Sequence, residues 1–209
     1  FQTATAVINL RSSQIAHLLN MAHIAILGLG NWGTAVARMW LLEGHKVKGW
    51  TIEQDVYESV VMEGVNKKYL PGHSVEGLEA TMRLDEALDG VEIVVLAIPS
   101  SVILDVVDEV IPHLRPGHVL IDLAKGLAPG KRLISQAIHE KLDAAQMTNP
   151  LAVVTGPTIA PEAAGGVITT ALVASEDESV AKRLAETLTT QTFILHAASD
   201  PVGAELWGA

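Results

Sequence analysis

Apolar and polar positions alternate along this chain in two rhythms, short apolar runs and longer stretches with helical spacing, and the two take turns from residue 22 onward. The run Ile24 to Leu27 reads as a first strand, and Thr34 to Met39 as the helix after it. A second strand is expected at Lys46 to Thr51, entered through Gly44-His45, and a short third at Ala80 to Arg83, before a helical Asp85 to Leu88. Val91 to Ile98 is apolar almost throughout, as a strand covered on both faces should be, and Pro99 ends it. Beyond it the pattern predicts a helix at Val102 to Ile111, a strand at Val119 to Leu123 and a helix at Arg132 to Leu142. Strands at Ala152 to Thr155 and Ile168 to Ala174, a helix at Ser179 to Thr189 and a strand at Phe193 to His196 complete the series. Alternation of this kind implies an α/β fold, a doubly wound and mainly parallel sheet with right-handed crossovers.

Gly28-Leu29-Gly30-Asn31-Trp32-Gly33 lies between the first strand and its helix, the setting in which G-x-G-x-x-G binds a dinucleotide. The first glycine allows the tight turn, the second lets backbone approach a pyrophosphate, and the third lets helix and strand pack closely. The anion then rests on the free amides and positive dipole end of the helix. Ligands in such sheets bind outside the carboxyl ends of the strands, so the residues after each strand are the candidates. After the second strand, Glu53 stands 20 residues beyond Gly33, where a carboxylate takes the adenosine ribose hydroxyls; a solvated loop charge is the plainer alternative. Thr51 to Asp55 supplies no arginine or lysine for a 2'-phosphate, which favours NAD over NADP.

Lys125, beside Gly126 at the end of the fifth strand, is the candidate catalytic residue, able to hydrogen-bond a carbonyl oxygen as negative charge grows there. The alternative is a surface lysine neutralising Asp122. Gly156 in Gly156-Pro157-Thr158 permits close approach of a ligand, and the helix after it offers amides to an anion, unless this is a simple turn. Ser100 and Ser101 lack a nucleophile elbow and are expected to cap the helix that follows them.

Composition narrows the picture. A formal charge of -10 without a basic run makes nucleic acid an unlikely partner, and no stretch approaches the roughly 20 apolar residues of a membrane span. The eight histidines form no zinc motif, so no metal is expected, and the absence of cysteine fits a reducing compartment, by default the cytoplasm. Residues 1–20 contain one basic and no acidic residue; they are expected to be an extension outside the fold, with a targeting leader as the lesser possibility.

Together these strings resemble the NAD(P)-dependent glycerol-3-phosphate dehydrogenases. The resemblance is carried by Gly28 to Ala35, Asn66-Lys67-Lys68-Tyr69-Leu70-Pro71-Gly72, Ile98-Pro99-Ser100, Lys125-Gly126-Leu127, Gly156 to Ala160 and Asp200 to Leu206, in family order. It implies a Rossmann-like domain at 21–197, with 198–209 opening a helical substrate domain absent from this chain. It implies that Gly28, Leu29, Gly30, Asn31, Trp32 and Gly33 bind the cofactor pyrophosphate and that Ile52 flanks the adenine. Pro99, Val102 and Ala160 would also contact the cofactor, Lys125 would touch nicotinamide and substrate, and Gly156 and Thr158 would lie beside the substrate. The implied reaction is the reversible conversion of dihydroxyacetone phosphate and NADH to sn-glycerol 3-phosphate and NAD, serving glycerophospholipid synthesis, in an enzyme that is a homodimer at full length. The family's closing motif continues to a second catalytic lysine, which this sequence does not reach, so turnover by these residues alone is not expected. A nucleotide-binding module without turnover, or another Rossmann dehydrogenase, is the alternative. Trp207 stands where the motif has glycine, a place where a large ring is expected to crowd the start of a helix.

Overall fold

The computed structural model describes residues 21–208; the extension at 1–20 lies outside the described residues. Eight strands form one sheet: β1 His23–Leu27, β2 Lys46–Trp50, β3 Glu79–Thr81, β4 Ile93–Leu96, β5 Val119–Asp122, β6 Leu151–Thr155, β7 Thr169–Ser175 and β8 Phe193–Ala198. Between them run helices α1 Asn31–Leu42, α2 Gln54–Glu63, α3 Leu84–Leu88, α4 Ile103–Val110, α5 Ile134–Ala144, α6 Ala160–Ala164 and α7 Glu178–Leu188, and α8 Pro201–Gly208 closes the series. The strand order is β3-β2-β1-β4-β5-β6-β7-β8. All neighbours are parallel except β6 and β7, which pair antiparallel from Ala152 opposite Ser175 to Thr155 opposite Leu172.

Strand periodicity sorts the core onto two faces. Ile24 and Ile26 of β1 join Trp40, Val95, Ile121 and Phe193 on one side, while Ala25 and Leu27 join Leu96, Ile103, Leu120 and Ile138 on the other. Both faces are covered, which is why β4 and β5 are buried at every position. Trp40 is 2% exposed, and its indole N–H donates to the Leu188 carbonyl at 3.0 Å, tying α1 to the end of α7.

Two helices were not evident from the pattern. In α2 only Val56 and Val60 are buried, while Val61 and Met62 are exposed, so its apolar stripe is too narrow to stand out. The α8 segment buries Ala204 and Glu205. The Glu205 carboxylate lies at the start of α5, where it accepts the Ile134 N–H at 2.5 Å and the Ser135 N–H at 3.3 Å, and it also takes the Ser135 hydroxyl. A carboxylate at a helix N-terminus satisfies free amides and meets the positive end of the dipole.

Candidate active site

The strand order reverses at β1, whose successor β2 lies to one side and β4 to the other, and a cleft opens at the carboxyl ends of these strands. It measures about 610 Å³. The Gly28–Gly33 loop forms one wall. Gly28 has φ +101°, and a Cβ there would stand 2.4 Å from the Ala97 carbonyl oxygen, so the turn from β1 into α1 demands glycine. At Gly33 a Cβ would lie 2.0 Å from the Gly28 carbonyl oxygen, whereas at Gly30 it would meet nothing within 4 Å. Two of the glycines thus serve the fold, and the third keeps open the approach to the amides that begin α1.

Asn66 braces this loop from outside the motif. Fully buried, it donates to the Leu29 carbonyl and to the Thr34 hydroxyl, both at 2.8 Å, while Thr34 itself donates to Leu29 O at 3.1 Å. Trp32 sets its ring edge-on to Phe193, with centroids 5.8 Å apart. Asn66 was legible only as part of a family string; nothing local marks it as a support for a loop 37 residues away.

At the β2 end, Ile52 is 73% exposed and Glu53 half-buried, and both line the cleft. Glu53 is partly exposed and paired. Its Oε1 accepts the Tyr69 hydroxyl at 2.8 Å and its Oε2 takes the Lys68 ammonium, which also lies 3.1 Å from Asp55 Oδ2. Lys68 holds the Asp55 carboxyl below its usual range, and the bond to Glu53 raises the Tyr69 phenol above its own. The segment 51–55 carries no cation, as read from the sequence, but the loop after α2 brings one to it.

The far wall is formed by Pro99, Ser100, Val102 and Lys125. Pro99 O receives the amides of Val102 at 3.0 Å and Ile103 at 3.1 Å, and the N-cap of α4 is Val102, without a side-chain cap. The expected capping by Ser100 and Ser101 is therefore corrected: the carbonyl before them does that work. Lys125 is exposed at the mouth of the cleft. Asp122 is fully buried, with Oδ1 accepting the Ala124 N–H at 2.8 Å and Oδ2 without a partner. Burial pushes its carboxyl up to about 7, with the nearby charge of Glu205 adding to the effect and the Ala124 amide opposing it. Lys125 is thus not the partner that Asp122 would need as a surface pair.

Gly156 lies elsewhere, in a second cleft of about 410 Å³ shared with Thr155, Leu172, His196 and Trp207. Packing adds a reason of its own for glycine here. A Cβ there would stand 2.7 Å from Thr170 O and 2.9 Å from Ala171 Cα, so close packing on β7 requires it. Helix α6 is only five residues long and has Pro161 in its first turn, which removes one of the amides expected to meet an anion. Thr158 is half-buried and donates its amide to Gly156 O at 2.9 Å. Ala160 does not line the first cleft; it is buried in a cluster with Ala35, Leu70 and Ala164. Trp207 does not crowd a helix start, being 93% exposed, and it is Gly208 that lies against Thr155. Leu206 at 57% and Val202 at 40% extend this exposed apolar surface.

Among the described residues no group of three or more His, Asp or Glu side chains could hold a metal ion, and no helix is long and apolar enough to cross a membrane. An open, mainly parallel sheet, a glycine turn at its switch point and a cleft over the helix start define a Rossmann-type dinucleotide-binding domain. Comparison with known proteins narrows this. The profile of a family described as NAD-dependent glycerol-3-phosphate dehydrogenase N-terminus matches residues 23–181, and the chain belongs to that family. A glycerol-3-phosphate dehydrogenase (NAD(P)+) of Coxiella burnetii is 35% identical over 187 residues, 89% of this chain and 55% of the relative. One from Syntrophotalea carbinolica is 35% identical over 189 residues, covering 90% and 56% respectively. The crystal structure of the Coxiella burnetii enzyme superimposes with a TM-score of 0.82, covering 90% of this chain and 57% of that one at 35% identity. The chain thus spans about 55% of the length of the curated relatives it matches.

Proposed function

We propose that this chain is the cofactor-binding half of a glycerol-3-phosphate dehydrogenase that uses NADH to reduce dihydroxyacetone phosphate reversibly to sn-glycerol 3-phosphate. The observation that carries the reading is the first cleft, which joins the glycine loop, the ribose-side Glu53 and Lys125 in one cavity. Its residues fit a dinucleotide by their chemistry. Gly30 leaves the start of α1 open to a pyrophosphate, Glu53 keeps lone pairs for ribose hydroxyls beyond those used by Lys68 and Tyr69, and Ile52 offers an exposed apolar face to the adenine.

NADH, when bound, supplies the hydride. As the ketone carbon gains that hydride and its C=O π bond breaks, negative charge grows on the oxygen, which takes a proton from the second catalytic lysine that the family resemblance implies and becomes the hydroxyl of the product. Lys125 donates a hydrogen bond to that oxygen and so stabilises the charge where it develops. Asp122 acts on the same segment from below the surface of the sheet, holding the Ala124 amide one residue before Lys125. The family resemblance supports reading the full-length enzyme as a cytoplasmic homodimer that supplies glycerol phosphate for lipid synthesis.

The test is a spectrophotometric assay of NADH oxidation by a protein that pairs these residues with the remaining length of the relatives. Oxidation that depends on dihydroxyacetone phosphate supports the reading. Oxidation that ignores dihydroxyacetone phosphate and depends on another ketone overturns the substrate, and its absence with every ketone overturns the reaction.

A further inference from the structure

The ion cluster on the β2 side of the cleft bears on which dinucleotide the site accepts, and the argument rests on the reading of that cleft as a cofactor site. Glu53 lines the cleft where the adenosine ribose would be held, and Asp55 adds a second carboxylate beside it through their shared partner Lys68. Alone they would repel a 2'-phosphate. Lys68 lies between them, bonded to Glu53 and 3.1 Å from Asp55, and its ammonium sits 5.5 Å from the centroid of the Tyr69 ring. The cation comes from a loop fixed at both ends: Val65 bridges to Ser74, and the Tyr69 amide donates to the buried Asn66 side chain at 3.1 Å. Tyr69 itself lines the cleft and grips Glu53 through its hydroxyl. The loop is therefore held, while the lysine tip is not, since its side chain remains 43% exposed and Asp55 64% exposed.

We propose that Lys68 sets the discrimination between 2'-hydroxyl and 2'-phosphate dinucleotides, letting the site accept NADPH as a weaker second ligand. With Lys68 bonded to Glu53 and Asp55, the carboxylates are partly neutralised, while the Tyr69 hydroxyl holds Glu53 for ribose hydroxyls. Its bond to exposed Asp55 is the weak one, screened by solvent and readily exchanged. A lysine is a point charge with three donors on a flexible stem, suited to turn from a carboxylate to a phosphate without a fixed fork geometry. The hydrogen bonds it donates to both carboxylates keep it protonated well beyond ordinary pH, so the cation is present throughout the physiological range. Arg38, which could have served the same end of the fold, is committed elsewhere, to the carbonyls of Ala164 at 3.1 Å and Ser74.

The test is calorimetric titration of the 209-residue chain with ADP-ribose and with 2'-phospho-ADP-ribose, in the parent, Lys68→Met and Lys68→Arg, at low ionic strength. The parent should bind both, the phosphorylated ligand more weakly. Lys68→Met should weaken the phosphorylated ligand by a further tenfold or so, the scale of one charge-assisted hydrogen bond, and leave ADP-ribose within about threefold. Lys68→Arg should keep the phosphorylated ligand near the parent. Near-ultraviolet circular dichroism of each variant establishes that the loop is folded. Equal weakening of both ligands by Lys68→Met, with the fold intact, would show that Lys68 only braces the loop and overturns the proposal. So would a phosphorylated ligand that binds the Met variant as well as the parent. Binding of neither ligand by the parent overturns the cofactor reading itself, whereas a parallel loss in Lys68→Met overturns only the role of Lys68.

Discussion

Replacing either of two glycines in one loop with alanine should have opposite consequences. At Gly33 the new methyl would be placed 2.0 Å from the Gly28 carbonyl oxygen and 3.0 Å from the Ala97 Cβ. The first of these atoms is backbone in a turn already fixed at φ +101°, so it cannot swing aside as a side chain would. Gly33→Ala should therefore cost about 3 kcal/mol of stability, the upper part of the range for overpacking a close contact. Gly30 is the N-cap of α1 at φ -72° and ψ -167°, an extended conformation open to alanine, with no atom within 4 Å of the added methyl. Alanine is a poorer N-cap than glycine but loses less chain entropy on folding, so the two effects offset to within about 1 kcal/mol. The methyl would nevertheless project into the space where a pyrophosphate meets the first amides of α1, and NADH affinity should fall at least about tenfold, or 1.4 kcal/mol. Urea unfolding followed by far-ultraviolet circular dichroism measures the first effect, and quenching of tryptophan fluorescence by NADH measures the second. A Gly33→Ala protein as stable as the parent would refute the packing argument. A folded Gly30→Ala protein with parental NADH affinity would refute the placement of the pyrophosphate.

Two further outcomes concern the far wall of the cleft. In a protein of the relatives' full length, Lys125→Met should lower turnover at least about a hundredfold while NADH affinity changes little, since a donor to a developing oxyanion is worth roughly 2.7–4 kcal/mol; near-normal turnover would make Lys125 a surface lysine. Asp122, pushed up to about 7 from an ordinary 3.8, binds a proton in the folded state that the unfolded chain has already lost, so stability falls as pH rises from about 4 to about 7 and is level above. Asp122→Asn, whose amide oxygen can still accept the Ala124 N–H, should flatten that fall and gain on the order of 3 kcal/mol over the parent at pH 8 relative to pH 4. Parallel pH profiles of urea unfolding in the two proteins would contradict this.

Much of the fold was legible because β strands buried on both faces read as unbroken apolar runs, as Ile93 to Leu96 and Val119 to Ile121 show. The glycine loop was legible too, since its spacing between a strand and a helix is a recurrent motif even though Ala97 is among the atoms that demand glycine there. What escaped was everything that depends on distant partners. Helix α2 buries only two valines, and the strand pattern of β7 reads the same whether it pairs parallel or antiparallel with β6. Lys68 and Tyr69 reach Glu53 across 15 and 16 residues, Asn66 braces Leu29 across 37, and Glu205 caps α5 across 71. Each of these is an ordinary polar residue in its own neighbourhood. Only the folded chain shows what it meets. Gly156 adds a requirement that only the fold shows, close approach to the backbone of β7.

The claim that the first cleft is the cofactor site is tested most directly by titrating the isotopically labelled chain with NADH while recording its amide resonances. The account predicts saturable shifts concentrated in residues 28–33, around Glu53 and along the segment that carries Lys125, with the Gly156–Trp207 cleft little affected. Saturable binding that moves the second cleft and leaves the glycine loop unchanged would contradict it.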